Sequence, residues 1–192
     1  MDSLAALSTA AGLGVGAGIN AYATLLVFGI LGRIFPHVGS GELARFFSST
    51  PVLITLGVLY SIEFVADKIP AVDHVWDVIH TFIRPLAGGI VALAATNTSI
   101  PKPMVILATV IGGGVALASH VTKAAVRAAS TATTAGVGNP ILSVGEDLFA
   151  IGQTSLAVVL PYVACAVALL LAVLLIALLA RMRGRRATPD RR

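Results

Sequence analysis

Long apolar runs, separated by short turns rich in glycine, proline and polar residues, dominate the chain. A helix needs about 20 consecutive apolar residues to cross a bilayer. Six apolar elements can be placed on that basis. The first runs from about Leu13 to Ile34, with Ala5 to Ala11 as an extension, and is followed by a loop from Phe35 to Thr50. The second opens at Pro51, a good first-turn residue, and runs to about Ala66 before Pro70 ends it. Leu86 to Ala95 is a short run, a brief span or half-helix, before the turn residues Asn97, Pro101 and Pro103. Met104 to Ala118 continues into His120 to Thr131. Ile141 to Ala180 would be roughly 60 Å long as one helix, too long for one crossing. A break near Gly152-Gln153-Thr154 or at Pro161 divides it into two elements.

Val72 to Arg84 carries a different pattern. At 100° per residue, His80, Asp73, Arg84, Asp77, Thr81 and His74 form one continuous polar arc. Val78, Phe82, Val75, Ile79, Ile83 and Trp76 fill the opposite side. This predicts a separate amphipathic helix, lying in the membrane interface by default or else lining a cavity.

Composition places the whole chain in lipid. Of its residues 57% are hydrophobic and 11% charged, and the mean hydropathy is +0.94; ordinary globular chains carry roughly 25% charged residues. The expected fold is an all-α integral membrane protein, a compact bundle of about six transmembrane or half-membrane helices plus the amphipathic helix. Residues 1–180 form a single polytopic domain and 181–192 a basic tail.

The net charge of +4 is no nucleic-acid signal, because six of the thirteen basic residues sit in that tail and no aromatic residues interleave with them. Arginines directly after an apolar run fit a cytoplasmic anchor on anionic lipid. With six crossings, Lys68, Arg84, Lys123, Arg127 and the tail all fall inside, against Arg33, Arg45 and Lys102 outside. Five crossings would move Arg33, Arg45 and Lys102 inside. The N-terminus lacks the positive region of a signal peptide, so the start of the chain is expected to be retained. Cys165, the single cysteine, reads as a small apolar residue.

An internal repeat is visible, with halves at about 5–98 and 103–180. Gly12, Gly14, Gly16 and Gly18 precede Asn20, while Gly112, Gly113 and Gly114 precede His120. A proline-opened helix follows in each half, at Thr50-Pro51 and Asn139-Pro140, and each carries two carboxylates. Transporters often consist of inverted repeats with the site at their interface, although duplication without transport leaves the same trace. The glycine clusters match no phosphate loop. Close helix packing or a local helix break explains them better, with Asn20 and Tyr22 adding polar groups there.

Ionisable groups in lipid are costly and pair, line wet cavities or move ions. Glu63 and Asp67, four apart on one helical face, would repel in a dry place. Pairing with Lys68 and another base, proton or ion handling, and metal binding all remain open for them. Glu146 and Asp147 are their counterparts. His120, Lys123 and Arg127 fall within an arc of roughly 60° on a helix. Facing the carboxylates, that stripe would make a buried polar network; alternatively it would hold an anion or phosphate headgroup. Asp73, Asp77, His80 and Arg84 form a secondary polar cluster. Metal donors, lacking any motif such as His-Glu-x-x-His, would be Glu63, Asp67, Asp77 and His80. No nucleophile elbow or Ser-His-Asp order appears, and no enzyme is expected.

Gly18-Ile19-Asn20-Ala21-Tyr22, Glu63-Phe64-Val65-Ala66-Asp67-Lys68-Ile69-Pro70 with Asp73 and Trp76-Asp77, Arg84-Pro85-Leu86-Ala87-Gly88, His120-Val121-Thr122-Lys123, and Asn139-Pro140 with Glu146-Asp147 together resemble family 4126 of the domains of unknown function. The resemblance covers about Gly12 to Gly152. It leaves the long C-terminal helix and arginine tail outside the shared motifs. It implies a small polytopic protein of the bacterial inner membrane and no particular activity. The resulting expectation is a small transporter or channel for an ion or small polar solute. Its path is lined by Glu63, Asp67, Glu146, Asp147, His120, Lys123, Arg127 and Asn20. No cofactor is expected beyond a bound cation; the partners are membrane lipid and the solute, with a homo-oligomer supplying pore volume. The alternative is a non-transporting scaffold that binds lipid or a partner, its buried charges purely structural.

Overall fold

The computed structural model of the chain describes residues 2–35, 38, 41–96 and 99–186, except the side chains of 70–77, 175, 178, 179 and 181–186. Among these residues all regular structure is helical: α1 (Ser3–Ile19), α2 (Ala21–Ile34), α3 (Glu42–Phe47), α4 (Thr50–Ala66), α5 (Pro70–Ala95), α6 (Lys102–Thr134), α7 (Asn139–Val159) and α8 (Pro161–Arg186). Val78–Ala95 of α5, α6 and α7 are long and apolar enough to cross a membrane; α1, α2, α4 and Pro161–Leu174 of α8 are shorter apolar helices. At about 1.5 Å per residue α6 spans roughly 50 Å, more than a hydrocarbon core of about 30 Å.

The centre of the bundle is α1, packed against α2, α5, α6, α7 and α8. Its alternating glycines explain how one helix touches so many. Gly12 and Gly16 lie on one face, where an added Cβ would stand 2.7 Å from Ala157 and Ala164 and from Thr154 respectively. Gly14 and Gly18 lie on the opposite face, against the Gly112 and Ala116 carbonyls of α6. A Cβ added at Gly112 of α6 would in turn stand 2.5 Å from the Gly88 carbonyl of α5. Small residues let backbones approach closely in lipid, where dispersion rather than water expulsion holds helices together. The packing alternative for the glycine clusters therefore holds. The break alternative holds for the first cluster alone, since α1 ends directly after Gly18 and Ile19 whereas Gly112, Gly113 and Gly114 lie inside the unbroken α6.

Three expectations need correction. The first apolar element is two helices rather than one, because Asn20 takes an extended conformation between α1 and α2. Its side chain replaces a lost helical bond by accepting from Ala23 N at 2.8 Å, a capping role that suits asparagine. The loop after it contains the short helix α3.

The amphipathic segment is not a separate helix. It continues through Pro85 into the next apolar run as α5, a proline tolerated where neighbouring helices support the backbone. Of the described members of its polar arc, Thr81 alone is exposed. His80 and Arg84 are fully buried, while Val78, Ile79 and Phe82 face outward. Asp73, His74, Val75, Trp76 and Asp77 lie outside the described side chains. The division of the C-terminal stretch falls at Leu160-Pro161, one of the two expected places.

Candidate functional site

Polar side chains from four helices meet inside the bundle around the α1–α2 break. Glu63 sits in the last turn of α4, and Asp67 directly follows it. His80 and Arg84 come from α5, His120, Lys123 and Arg127 from α6, Glu146 and Asp147 from α7. All are buried, save Glu146, whose side chain is 15% exposed.

Around Glu63 the contacts form a chain. Its Oε1 accepts from Arg84 Nη2 at 3.0 Å, and His80 Nε2 stands 3.7 Å from the same oxygen. Arg84 Nη1 contacts His120 Nδ1 at 2.6 Å. A guanidinium offers only donors, so Nδ1 accepts and His120 carries its proton on Nε2. That proton goes to Thr81 Oγ1, 3.0 Å away. Tyr22 packs edge-on against His80.

Around Asp67 the basic stripe of α6 meets two acids. Lys123 Nζ donates to Asp67 Oδ2 at 3.2 Å and to the Ile19 carbonyl at 3.0 Å. It also stands 3.4 Å from Glu146 Oε2. Arg127 donates through Nη2 to Asp67 Oδ2 at 3.0 Å and grips both oxygens of Glu146. Lys123 thus also satisfies the orphan carbonyl at the end of α1.

The third part lies at the break itself. The Asn20 Nδ2 group, not committed to capping, donates to Asp147 Oδ1 at 2.8 Å. One asparagine therefore caps α2 and holds α7. Glu63 Oε2, Asp67 Oδ1 and Asp147 Oδ2 are buried without a hydrogen-bond partner among the described residues.

All eight residues expected to line the path come together. His80 and Arg84 do not form a secondary cluster: they belong to this same network, and Asp73 and Asp77 lie outside the described side chains. The anion-site reading of His120, Lys123 and Arg127 meets donors already engaged by carboxylates, Thr81 and the Ile19 carbonyl. Lys68 does not neutralise Glu63 and Asp67. It turns back to the Phe64 carbonyl at 2.7 Å and lies over the Phe64 ring, leaving Arg84, Lys123 and Arg127 as the counter-charges. Among the described residues no three of His, Cys, Asp and Glu gather as metal ligands; Asp77 is outside that set.

Sequence reasoning passed over Thr81 as a partner of His120, and over Ser143. The signal for Ser143 was present: Asn139, Ser143 and Asp147 recur every four residues on one face of α7. An apolar groove of about 810 Å³ runs beside the network, with Lys123 and Glu146 on its wall and Cys165 across it on α8.

An all-helical bundle of the membrane type, holding an ion-pair network around a helix break, is the class that fold and site define. The family model described as a domain of unknown function, DUF4126, matches residues 7–181, and the chain belongs to that family. The match runs well into α8, past the Gly12 to Gly152 span that the shared motifs suggested. No curated protein and no solved structure matches the chain.

Proposed function

We propose that this chain is a small membrane transporter or channel that passes an ion or small polar solute along Glu63, Asp67, Glu146, Asp147, His120 and Lys123. One observation carries the reading: opposite charges from α4, α5, α6 and α7 gather around a helix break in the bundle interior. Discontinuous helices whose ends meet buried polar groups are a recurrent way to build a transport site. The carboxylates would bind a cation or take the coupling proton, and Lys123 and Arg127 would set the resting charge. The basic tail argues for a cytoplasmic C-terminus in a bacterial inner membrane. A homo-oligomer would add pore volume. That α4 and α7, each opened by proline, deliver their carboxylates to one network supports duplicated halves at about 5–98 and 103–180.

Reconstitution into proteoliposomes tests this. Flux of sodium, potassium or protons is expected from the native chain, largely abolished by Asp147→Asn and reduced by Glu63→Gln. Folded protein that moves none of a panel of ions and small polar solutes would reject the reading.

A second reading, a non-transporting scaffold, draws on the mutual satisfaction of much of the network, with Arg84 bridging Glu63 and His120. Under it the same substitutions would lower thermal stability and change nothing else.

A further inference from the structure

The buried acids are not evenly matched. Glu63 pairs with Arg84, and Asp67 and Glu146 share Lys123 and Arg127. Asp147 is left over. Among the described residues its one hydrogen-bonding partner is the neutral Asn20 amide, and its Oδ2 has none there although the residue is only 4% exposed. Lys123 and Lys68 act on it only at longer range, as do the acid Asp67 and the Tyr60 hydroxyl. A buried carboxylate without a counter-charge is strongly disfavoured.

The same face of α7 supplies two more buried oxygens. Ser143 Oγ, one turn before Asp147, has no hydrogen-bond partner among the described residues and is fully buried. Asn139, a further turn away and 2% exposed, donates its amide to Thr131 at 3.0 Å, while its Oδ1 has no partner among the described residues. Side chains four apart on a helix stand about 5–6 Å apart at Cβ, so a small ion can reach oxygens of both Ser143 and Asp147.

A carboxylate, a hydroxyl and an amide oxygen, with no nitrogen or sulfur donor, suit a hard cation. Charge selects among hard cations. One positive charge cancels the excess at Asp147, whereas a divalent ion would replace one uncompensated charge by another of opposite sign.

We propose that Asp147 and Ser143 bind a monovalent alkali cation, with Asn139 as the next oxygen along its way. This deepens the transport reading, on which it rests for the ion's passage though not for its binding.

Thermal unfolding of the purified full chain in detergent, followed by circular dichroism, tests the site. Sodium or potassium chloride would be exchanged for choline chloride at constant ionic strength and pH. A saturable rise in Tm with one alkali ion is expected. Ser143→Ala, which removes a ligand but no charge, should raise the half-saturating concentration about tenfold or more. Asp147→Asn should abolish the dependence; if that variant does not fold, Ser143→Ala decides. Identical Tm in all three salts overturns the proposal, as does a cation response that Ser143→Ala leaves unchanged. Cation binding without flux would keep the site and reject the transport reading. Flux without cation-dependent stability would do the reverse.

Discussion

Arg84 links two buried partners through one guanidinium, Glu63 on α4 and His120 on α6. Removing it strands a buried carboxylate, so Arg84→Met should cost about 3–5 kcal/mol. Neutralising both partners, Glu63→Gln with Arg84→Met, should cost less than the sum of the single changes. A double-mutant cycle read by unfolding in detergent should give a coupling of about 0.5–3 kcal/mol, and additive losses would remove Arg84 from its bridging role. The importance of these residues was legible in the sequence because charge in an apolar run is conspicuous. Their setting was not. The arc holding His80 and Arg84 distinguishes two faces of a helix, but periodicity alone does not say which face meets lipid. In a soluble protein the apolar face turns inward; here His80 and Arg84 do, because the surroundings are apolar and the charges need each other.

Among the helices, α1 shows how backbone approach shapes the bundle. Gly14→Ala would put a methyl 2.6 Å from the Gly112 carbonyl, and Gly18→Ala would press on the Ala116 carbonyl. Each should destabilise by about 1–3 kcal/mol through overpacking. Gly57, within α4, has nothing within 4 Å of such a methyl. There Gly57→Ala should be neutral or stabilise by about 0.5–1 kcal/mol, because it restricts the unfolded backbone. Thermal unfolding of the three variants checks the contrast; equal behaviour would mean that glycine contacts do not set the α1–α6 distance. The run Gly12 to Gly18 announced close packing, and the spacing of two separates it into opposite faces. Which helices filled those faces depended on contacts with segments up to about 150 residues away.

For the whole molecule the distribution of side chains is inverted relative to a water-soluble fold. Large apolar residues such as Phe82, Ile106, Ile141 and Leu148 point outward, while the interior gathers small residues and ion pairs beside a few large apolar side chains such as Leu13 and Phe28. If this outer surface meets acyl chains, a tryptophan placed there should be quenched by brominated lipids. In a Trp76→Phe background, strong quenching is expected for Phe82→Trp and little for Phe28→Trp, since Phe82 is 73% and Phe28 0% exposed. Equal quenching at both positions would contradict the assignment of the outer surface to lipid.

Local information was enough for the helical class, the sites of most helices, the proline-opened starts of α4 and α7, and the choice of polar residues. Hydrophobic run length, helix breakers and turn residues act over a few positions, so a linear reading captures them. Tertiary structure alone determined how the charges sort. Asn20 and Asp147 are separated by 127 residues, and no periodicity relates them. Whether an acid inside the bundle meets an arginine, a lysine or only an amide depends on helix rotation and on the close approach that glycines permit. Among the described residues, that geometry leaves Asp147 without a directly paired cation while Glu63, Asp67 and Glu146 have theirs.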